Sequence, residues 1–484
     1  MHKVSVNRVY VLRSIILAAL LMWPLLMFGK PAYMVDSSAY QNGGERAVAF
    51  VAHKLNIPVG IADKPGTGPS SEKALKNADG SEDAKVARAI TYSVIAYILS
   101  GPGLMMGFMA LFHALSTGLV TTALFEAVAG PTKRGFAILA GVLTFGTGLA
   151  LFVNFMIPDI FAGLLLGAMM ILPFYWQRCS WPILVLVTGC VALSVSFHAS
   201  LPPLALGTAL VITIFMLLLK KNRPSHPVQA LALLWAPVVL GIGITMLTGL
   251  VGFGQPSIAP KHYPLALARG LDNGPARWYL NDVCKDRSRY AMCEIYGTNM
   301  PVTVDEFLWS KHNIVTRATP EQMDRIRAEE KTILIRSTLH YPLEQARLVL
   351  QDVPDQFFSF RLNFFRYGAT IVRKDDGNII LKGAGTGDVP EILTWLDWIA
   401  DAVIIVATLA LALWWRTMSL TERGIILTLI AGLLVNAAVC AIFSGVAARY
   451  QARIIWLIPF TALAIGCARG HFGAIVSTLR ERQA

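Results

Sequence analysis

Apolar runs long enough to cross a bilayer recur through almost the whole chain, and no other feature constrains its fold as strongly. A helix needs about 20 mainly apolar residues to span a hydrocarbon core of roughly 30 Å. Such runs are read at 10–29, 103–128, 135–156, 158–176, 181–199, 203–219, 228–250, 395–415, 424–444 and 453–468. In lipid, backbone polar groups must be satisfied within the chain, so runs of this length fold as helices. Composition agrees. Charged residues are 15% of the 484 and hydrophobic residues 55%, whereas an ordinary soluble domain carries about 25% charged residues. The expectation is an all-α polytopic membrane protein of about ten transmembrane helices.

The charges between the runs sort by side. With a cytoplasmic N-terminus, Lys3, Arg8, Arg13, Lys133, Arg134, Arg178, Lys220, Lys221, Arg223, Arg416, Arg423, Arg469 and Arg480 all fall inside. That is the positive-inside pattern, kept at every short inner loop. The formal net charge of +12 therefore reports topology. Nucleic acid as a partner is excluded, because no basic residues gather on one soluble face. The first run has a basic start and an apolar stretch but no clean small-x-small cleavage site, so it is expected to remain as the first helix. Both termini are expected in the cytoplasm of a bacterial cell, with the chain multi-pass in the cytoplasmic membrane.

Three divisions follow. Residues 1–250 form an N-terminal transmembrane module with a first outer loop at 30–102. Residues 251–394 form an extracytoplasmic, periplasmic insertion, and 395–484 a C-terminal transmembrane module with its tail. In the first outer loop, Glu45 to Leu55 follows Gly43-Gly44 and is expected as a short amphipathic helix. The Gly-, Pro- and Ser-rich stretch 57–83 reads as a flexible excursion. Residues 84–100 read as a second juxtamembrane helix, because an extra span there would put every later basic loop outside. The insertion is poor in β-alternation and mostly helical. Thr319-Pro320-Glu321 marks a helix start, with interruptions expected at Pro342 and Pro354. Cys284 and Cys293 are disulfide candidates in an oxidising compartment, two free thiols being the alternative. The other four cysteines read as packing residues.

Ionisable groups at membrane depth or at its rim are costly and default to functional hypotheses. Here they gather toward the outer side: Asp36 after the first run, Asp159 at 157–160, His198, Asp397 and Asp401, and Arg449 and Arg453. Each also has a plain structural role open to it. Asp159 suits a helix N-cap, His198 a helix end, and the arginines lipid phosphates. Tyr40, Trp398 and Trp456 suit an aromatic belt. His113 and Glu126 are the few ionisable residues in the interior, His113 reading as a packed helix residue. Asp36 stands out because Asp-Ser-Ser-x-Tyr with Gly43-Gly44 reads as a polar, turn-forming cluster above the bilayer.

This layout resembles the GT-C superfamily of integral membrane glycosyltransferases. The likeness rests on Asp36 in the first outer loop, on the two juxtamembrane helices there, and on Arg449-Tyr450 followed by Pro459. Asp159 matches a second acidic position in the second outer loop of several members. It covers roughly 1–250 and 395–470, and its motifs are short. The resemblance implies transfer of a sugar from a polyprenyl-phosphate donor to an envelope glycan or lipid acceptor. Asp36 and Asp159 would then be catalytic, and Tyr40, His198, Arg449, Tyr450 and Arg453 would bind substrate. A carboxylate would take the acceptor's proton, and arginines would hold the departing phosphate. Ser37 stands where many members carry a second acid, which leaves a divalent metal, Mg or Mn, an open requirement. The alternatives are a transporter or flippase of a lipid-linked envelope precursor, and a non-catalytic polysaccharide assembly factor. Against transport, no internal repeat is found and the polar groups lie at one rim.

Overall fold

The computed structural model describes residues 3–55, 88–100, 106–218, 224, 226–259, 261–374, 379–383 and 387–471. The excursion expected at 57–83 lies outside the described residues, as do Lys220, Lys221, Arg223 and Arg480. The chain is an all-α polytopic membrane protein. Eight described helices are long and apolar enough to cross a membrane: Arg8–Phe28, Gly107–Ala129, Ile160–Arg178, Leu201–Leu218, Pro227–Phe253, Glu391–Thr417, Leu420–Phe443 and Arg449–Ala468. The two remaining sequence runs fold into shorter pieces. Trp181–Phe197 is one apolar helix of 17 residues. The run at 135–156 is split into Lys133–Phe145 and Leu149–Val153.

That split has a packing cause. A Cβ on Gly148 would stand 2.6 Å from Cδ2 of Leu362, and one on Gly146 would stand 2.9 Å from the Val142 carbonyl oxygen. The bare backbone lets the tail of the insertion press into the bundle, where Phe364 and Phe365 meet Phe152 and Phe155. The centre of the bundle is formed by Gly107–Ala129, Ile160–Arg178 and Arg449–Ala468, whose most apolar stretches are 67%, 83% and 83% buried. Pro227–Phe253 and Glu391–Thr417, each 28% buried, lie at its periphery.

The two ends of the bundle differ in chemistry. At the end away from the insertion, arginines cover helix-terminal carbonyls left without partners. Arg178 donates to the carbonyls of Ala127 and Val128, Arg423 to those of Trp415 and Arg416, and Arg469 to that of Thr417. Arg13 and Glu126 form a buried ion pair joining two spans near this end.

At the insertion end the first loop departs from expectation. The helix begins at Val35, not Glu45, and runs to Lys54, so Asp36 lies in its first turn and Gly43 and Gly44 are internal to it. A Cβ on Gly44 would come within 2.0 Å of the Ser93 carbonyl oxygen, so this glycine lets the Ile90–Ser100 helix pack at backbone distance. The insertion carries its own core around Leu267, Leu271, Leu280, Phe307, Ile314 and Ile326. Within it Cys284 and Cys293 are disulfide-bonded. The Pro320–His340 helix starts at Thr319, whose side chain and that of Gln322 cap each other's backbone. Pro342 opens the next helix, but Pro354 lies inside Pro342–Phe358 and does not end it. A short antiparallel hairpin, β1 (Thr370–Arg373) and β2 (Ile379–Lys382), was not anticipated. It docks on the Val35–Lys54 helix, where the Asn42 amide bonds both the N–H and the carbonyl of Ile379, at 3.0 and 2.7 Å.

Candidate functional site

The rim-level ionisable residues separate in sequence by up to hundreds of positions, yet most converge at the insertion end. Asp159 precedes the Ile160–Tyr175 helix as its N-cap residue, but its carboxylate caps nothing. Its Oδ1 instead accepts a 2.8 Å hydrogen bond from Nη1 of Arg453, and its Oδ2 lies 3.5 Å from Nε of Arg449. Arg449 and Arg453 are one helical turn apart on Arg449–Ile455, which aims both guanidiniums at the same carboxylate. Two cations facing one buried anion leave a positive excess.

Arg453 is 1% exposed and has further partners, while its Nε has none among the described residues. Its Nη2 donates to Oδ1 of Asn436 at 3.1 Å and to the Ser200 hydroxyl at 3.4 Å. These contacts, with the bond to Oδ1, hold the Asp159 carboxylate in place. Ser200 links the network to His198, whose Nδ1 accepts from the Ser200 backbone N–H at 3.1 Å. His198 thus both ends the Trp181–Phe197 helix and belongs to the cluster. Arg449 is more accessible, its side chain 13% exposed, and contacts the sulfur of Met34. Nη2 of Arg449 donates to the Tyr450 hydroxyl at 3.3 Å, and the Tyr450 ring lies beneath both guanidiniums, 4.9 and 5.4 Å from them.

Asp36 makes an ion pair with Arg88, both side chains about one-sixth exposed. Arg88 precedes the Ile90–Ser100 helix, and its guanidinium also lies 4.9 Å from the ring centre of Tyr263 in the insertion. Tyr40, on the same helix as Asp36, is buried and meets Tyr92 edge-on at 4.8 Å. Burial pushes the Tyr40 hydroxyl well above its usual pKa, with Arg88 opposing, so the residue stays a neutral wall of the site. Tyr40 and Trp456 are therefore not belt residues. The indole of Trp456 is buried and donates to the Arg453 carbonyl at 3.0 Å, whereas Trp398 is 65% exposed. Asp397 and Asp401 stand apart from the cluster and fasten the insertion's tail, accepting from the Leu362 N–H at 2.8 Å and from Arg361 at 2.6 Å. His113 bonds Tyr92 and the Val153 carbonyl in the interior.

Beside this cluster lies a cavity of about 1000 Å³, walled mostly by apolar side chains of the Val35–Lys54, Ile90–Ser100 and Pro227–Phe253 helices, including Val48, Val51, Ile98 and Val251. Arg46, Arg88, Asn42 and Tyr263 supply its polar lining. Of the charged cluster, only Arg88 reaches this wall among the described residues. No family model matches the chain, and no curated protein or solved structure is significantly similar to it.

A divalent cation does not suit the donors present. Among the described residues no three His, Cys, Asp or Glu side chains gather to hold one. Asp36 and Asp159 are each already neutralised by arginine. What the arrangement offers is an anion site: guanidiniums held in place by carboxylates and aromatic rings, one of them, Arg88, in the wall of an apolar cavity. Sequence reasoning missed Arg88, Ser200 and Asn436 as members. The only sequence signal for Arg88 was its place as a basic residue at the start of an apolar juxtamembrane helix.

Proposed function

We propose that this chain is a membrane-embedded glycosyltransferase that moves a sugar from a polyprenyl-phosphate donor to a hydroxyl of a glycan or lipid acceptor. The observation that carries this reading is Arg88, which belongs at once to the charged cluster around Asp36 and to the wall of the apolar cavity. A ligand with a long apolar chain and a phosphate head would need that combination, chain in the cavity and phosphate on the guanidinium. The paired cluster deeper in the bundle supports it by adding Arg449, which is held by Asp159 and touches Met34 at the start of the helix that carries Asp36.

On this reading the acceptor oxygen attacks the anomeric carbon of the donor. The bond from that carbon to the phosphate oxygen breaks, and the lipid phosphate leaves with the electron pair. Asp36 takes the acceptor's proton as it is lost. Cations at the mouth favour the step because charge builds on the departing phosphate. The setting is the outer face of a bacterial cytoplasmic membrane, with the insertion on that face and about ten spans below it, Trp181–Phe197 and the split 133–153 segment completing the count.

Asp36→Asn tests the reading directly. The variant is expected to accumulate in the membrane as the parent does and to lose sugar transfer by about 100-fold or more, measured with radiolabelled polyprenyl-phosphate sugars and membrane extracts. Transfer at the parental rate would remove Asp36 from the chemistry.

A further inference from the structure

Arg88 holds more interactions than a static ion pair needs, and they point in different directions. Nη2 at the edge of its guanidinium donates to the Asp36 carboxylate, and the group also lies over the Tyr263 ring. Its Nε is buried with no hydrogen-bond partner among the described residues. Nε of Arg269 and of Arg453 are likewise buried without a partner among the described residues, so what sets Arg88 apart is its place in the cavity wall. The Arg88 side chain lines the cavity, so its guanidinium lies beside space that an apolar chain can fill.

We infer that Arg88 is an exchangeable anion holder: it rests on Asp36 and passes to the phosphate of a bound prenyl chain, and that transfer frees Asp36. This deepens the transferase reading and rests on it for the role of the freed carboxylate. The exchange suits the chemistry because the two anions compete for one planar fork, which pairs phosphate oxygens as well as it pairs carboxylate oxygens. It also sets an order of events. An empty site keeps Asp36 neutralised and idle, and only a seated phosphate leaves it unpaired beside the acceptor. The donor phosphodiester has one negative charge and the released monoester gains a second, so Arg88 holds the leaving group more strongly than the donor. Tyr263 is the positioning residue: its ring fixes the plane of the guanidinium during the exchange.

The two partners of an exchange respond oppositely to substitution, and that asymmetry is the test. Binding of farnesyl phosphate to the purified full chain in detergent is measured for the parent, Arg88→Ala, Arg88→Lys and Asp36→Asn, with farnesol and inorganic phosphate as companion ligands. Arg88→Ala is expected to weaken farnesyl phosphate about tenfold or more and to leave farnesol unchanged. Arg88→Lys, which keeps a charge without the fork, falls between and shows that the fold survives. Asp36→Asn binds farnesyl phosphate at least as tightly as the parent, because the competing anion is gone. Tyr263→Phe matches the parent, and Tyr263→Ala weakens binding.

Equal weakening by Arg88→Ala and Asp36→Asn would overturn the exchange, as a purely structural pair behaves that way. So would farnesol binding as tightly as farnesyl phosphate. Inorganic phosphate binding as tightly as farnesyl phosphate would overturn the prenyl chain as the source of the anion. If the binding pattern holds but the parent transfers no sugar, the exchange stands and the transferase reading falls.

Discussion

At the scale of single residues, the pairing of Asp159 with Arg453 decides how the site is held. Both side chains are 1% exposed, and an ion pair this deep is costly to break from one side because the remaining charge has no water. Arg453→Leu is expected to lower unfolding stability by about 3–5 kcal/mol, with Asn436 and Ser200 losing a donor as well. The double variant Asp159→Leu with Arg453→Leu should lose less than the single, since no unpaired charge is left behind. Thermal or denaturant unfolding in detergent measures both; additive losses would mean that the two residues are not coupled. The sequence marked both residues as candidates, because charge at membrane depth is rare whatever its role. It could not pair them. They are 294 positions apart, and the local pattern around Asp159, a proline and then an apolar run, is that of an N-cap whether or not the carboxylate turns away. Arg88 was legible only as a basic residue opening a juxtamembrane helix, since its partners Asp36 and Tyr263 come from two other segments.

At the scale of elements, glycines set how closely the helices of the site approach. Local propensity argues against glycine inside a helix by about 1 kcal/mol, and on that ground Gly43-Gly44 reads as a break before a helix. The structure runs the helix through them because close packing outweighs propensity in such contacts. A Cβ on Gly44 would meet the Ser93 carbonyl oxygen at 2.0 Å and Cβ of Tyr97 at 2.6 Å. Gly44→Ala should therefore force the Val35–Lys54 and Ile90–Ser100 helices apart, lowering stability by about 1–3 kcal/mol and weakening farnesyl phosphate binding at the cavity between them. Gly141→Ala is the matched control. A Cβ there meets nothing within 4 Å, and the change should be neutral or slightly stabilising. Indistinguishable melting of the two variants would refute the close approach. The spans themselves were legible because lipid leaves an apolar run few alternatives to a helix. The hairpin was not, since each strand is only four residues long and lies among charged neighbours, too short for alternation to stand out.

At the scale of the whole molecule, the insertion and the bundle meet at the site, and the insertion's stability is thereby tied to ligand binding. Tyr263, which faces Arg88, is anchored from the insertion side by its neighbours. Lys261 pairs with Asp324 at 2.7 Å, His262 with Glu330 at 2.9 Å, and Arg327 donates to the His262 carbonyl at 2.8 Å. All three partners belong to the Pro320–His340 helix, which packs in the insertion's own core. The disulfide between Cys284 and Cys293 closes a short loop in that same core, 9 residues apart. Constraint of an unfolded loop that short contributes about 2–3 kcal/mol. Replacing both cysteines with serine should therefore loosen the insertion while leaving the spans, which hold no other disulfide among the described residues, folded. Limited proteolysis is expected to cut the variant within 261–340 faster than the parent, and farnesyl phosphate affinity should fall as Tyr263 loses its fixed position. Faster cleavage with unchanged affinity would mean that Arg88 is held by the bundle alone and that the insertion serves some other purpose. Faster cleavage together with weaker binding would make the insertion a working part of the anion site, which no reading of the transmembrane framework by itself could reach.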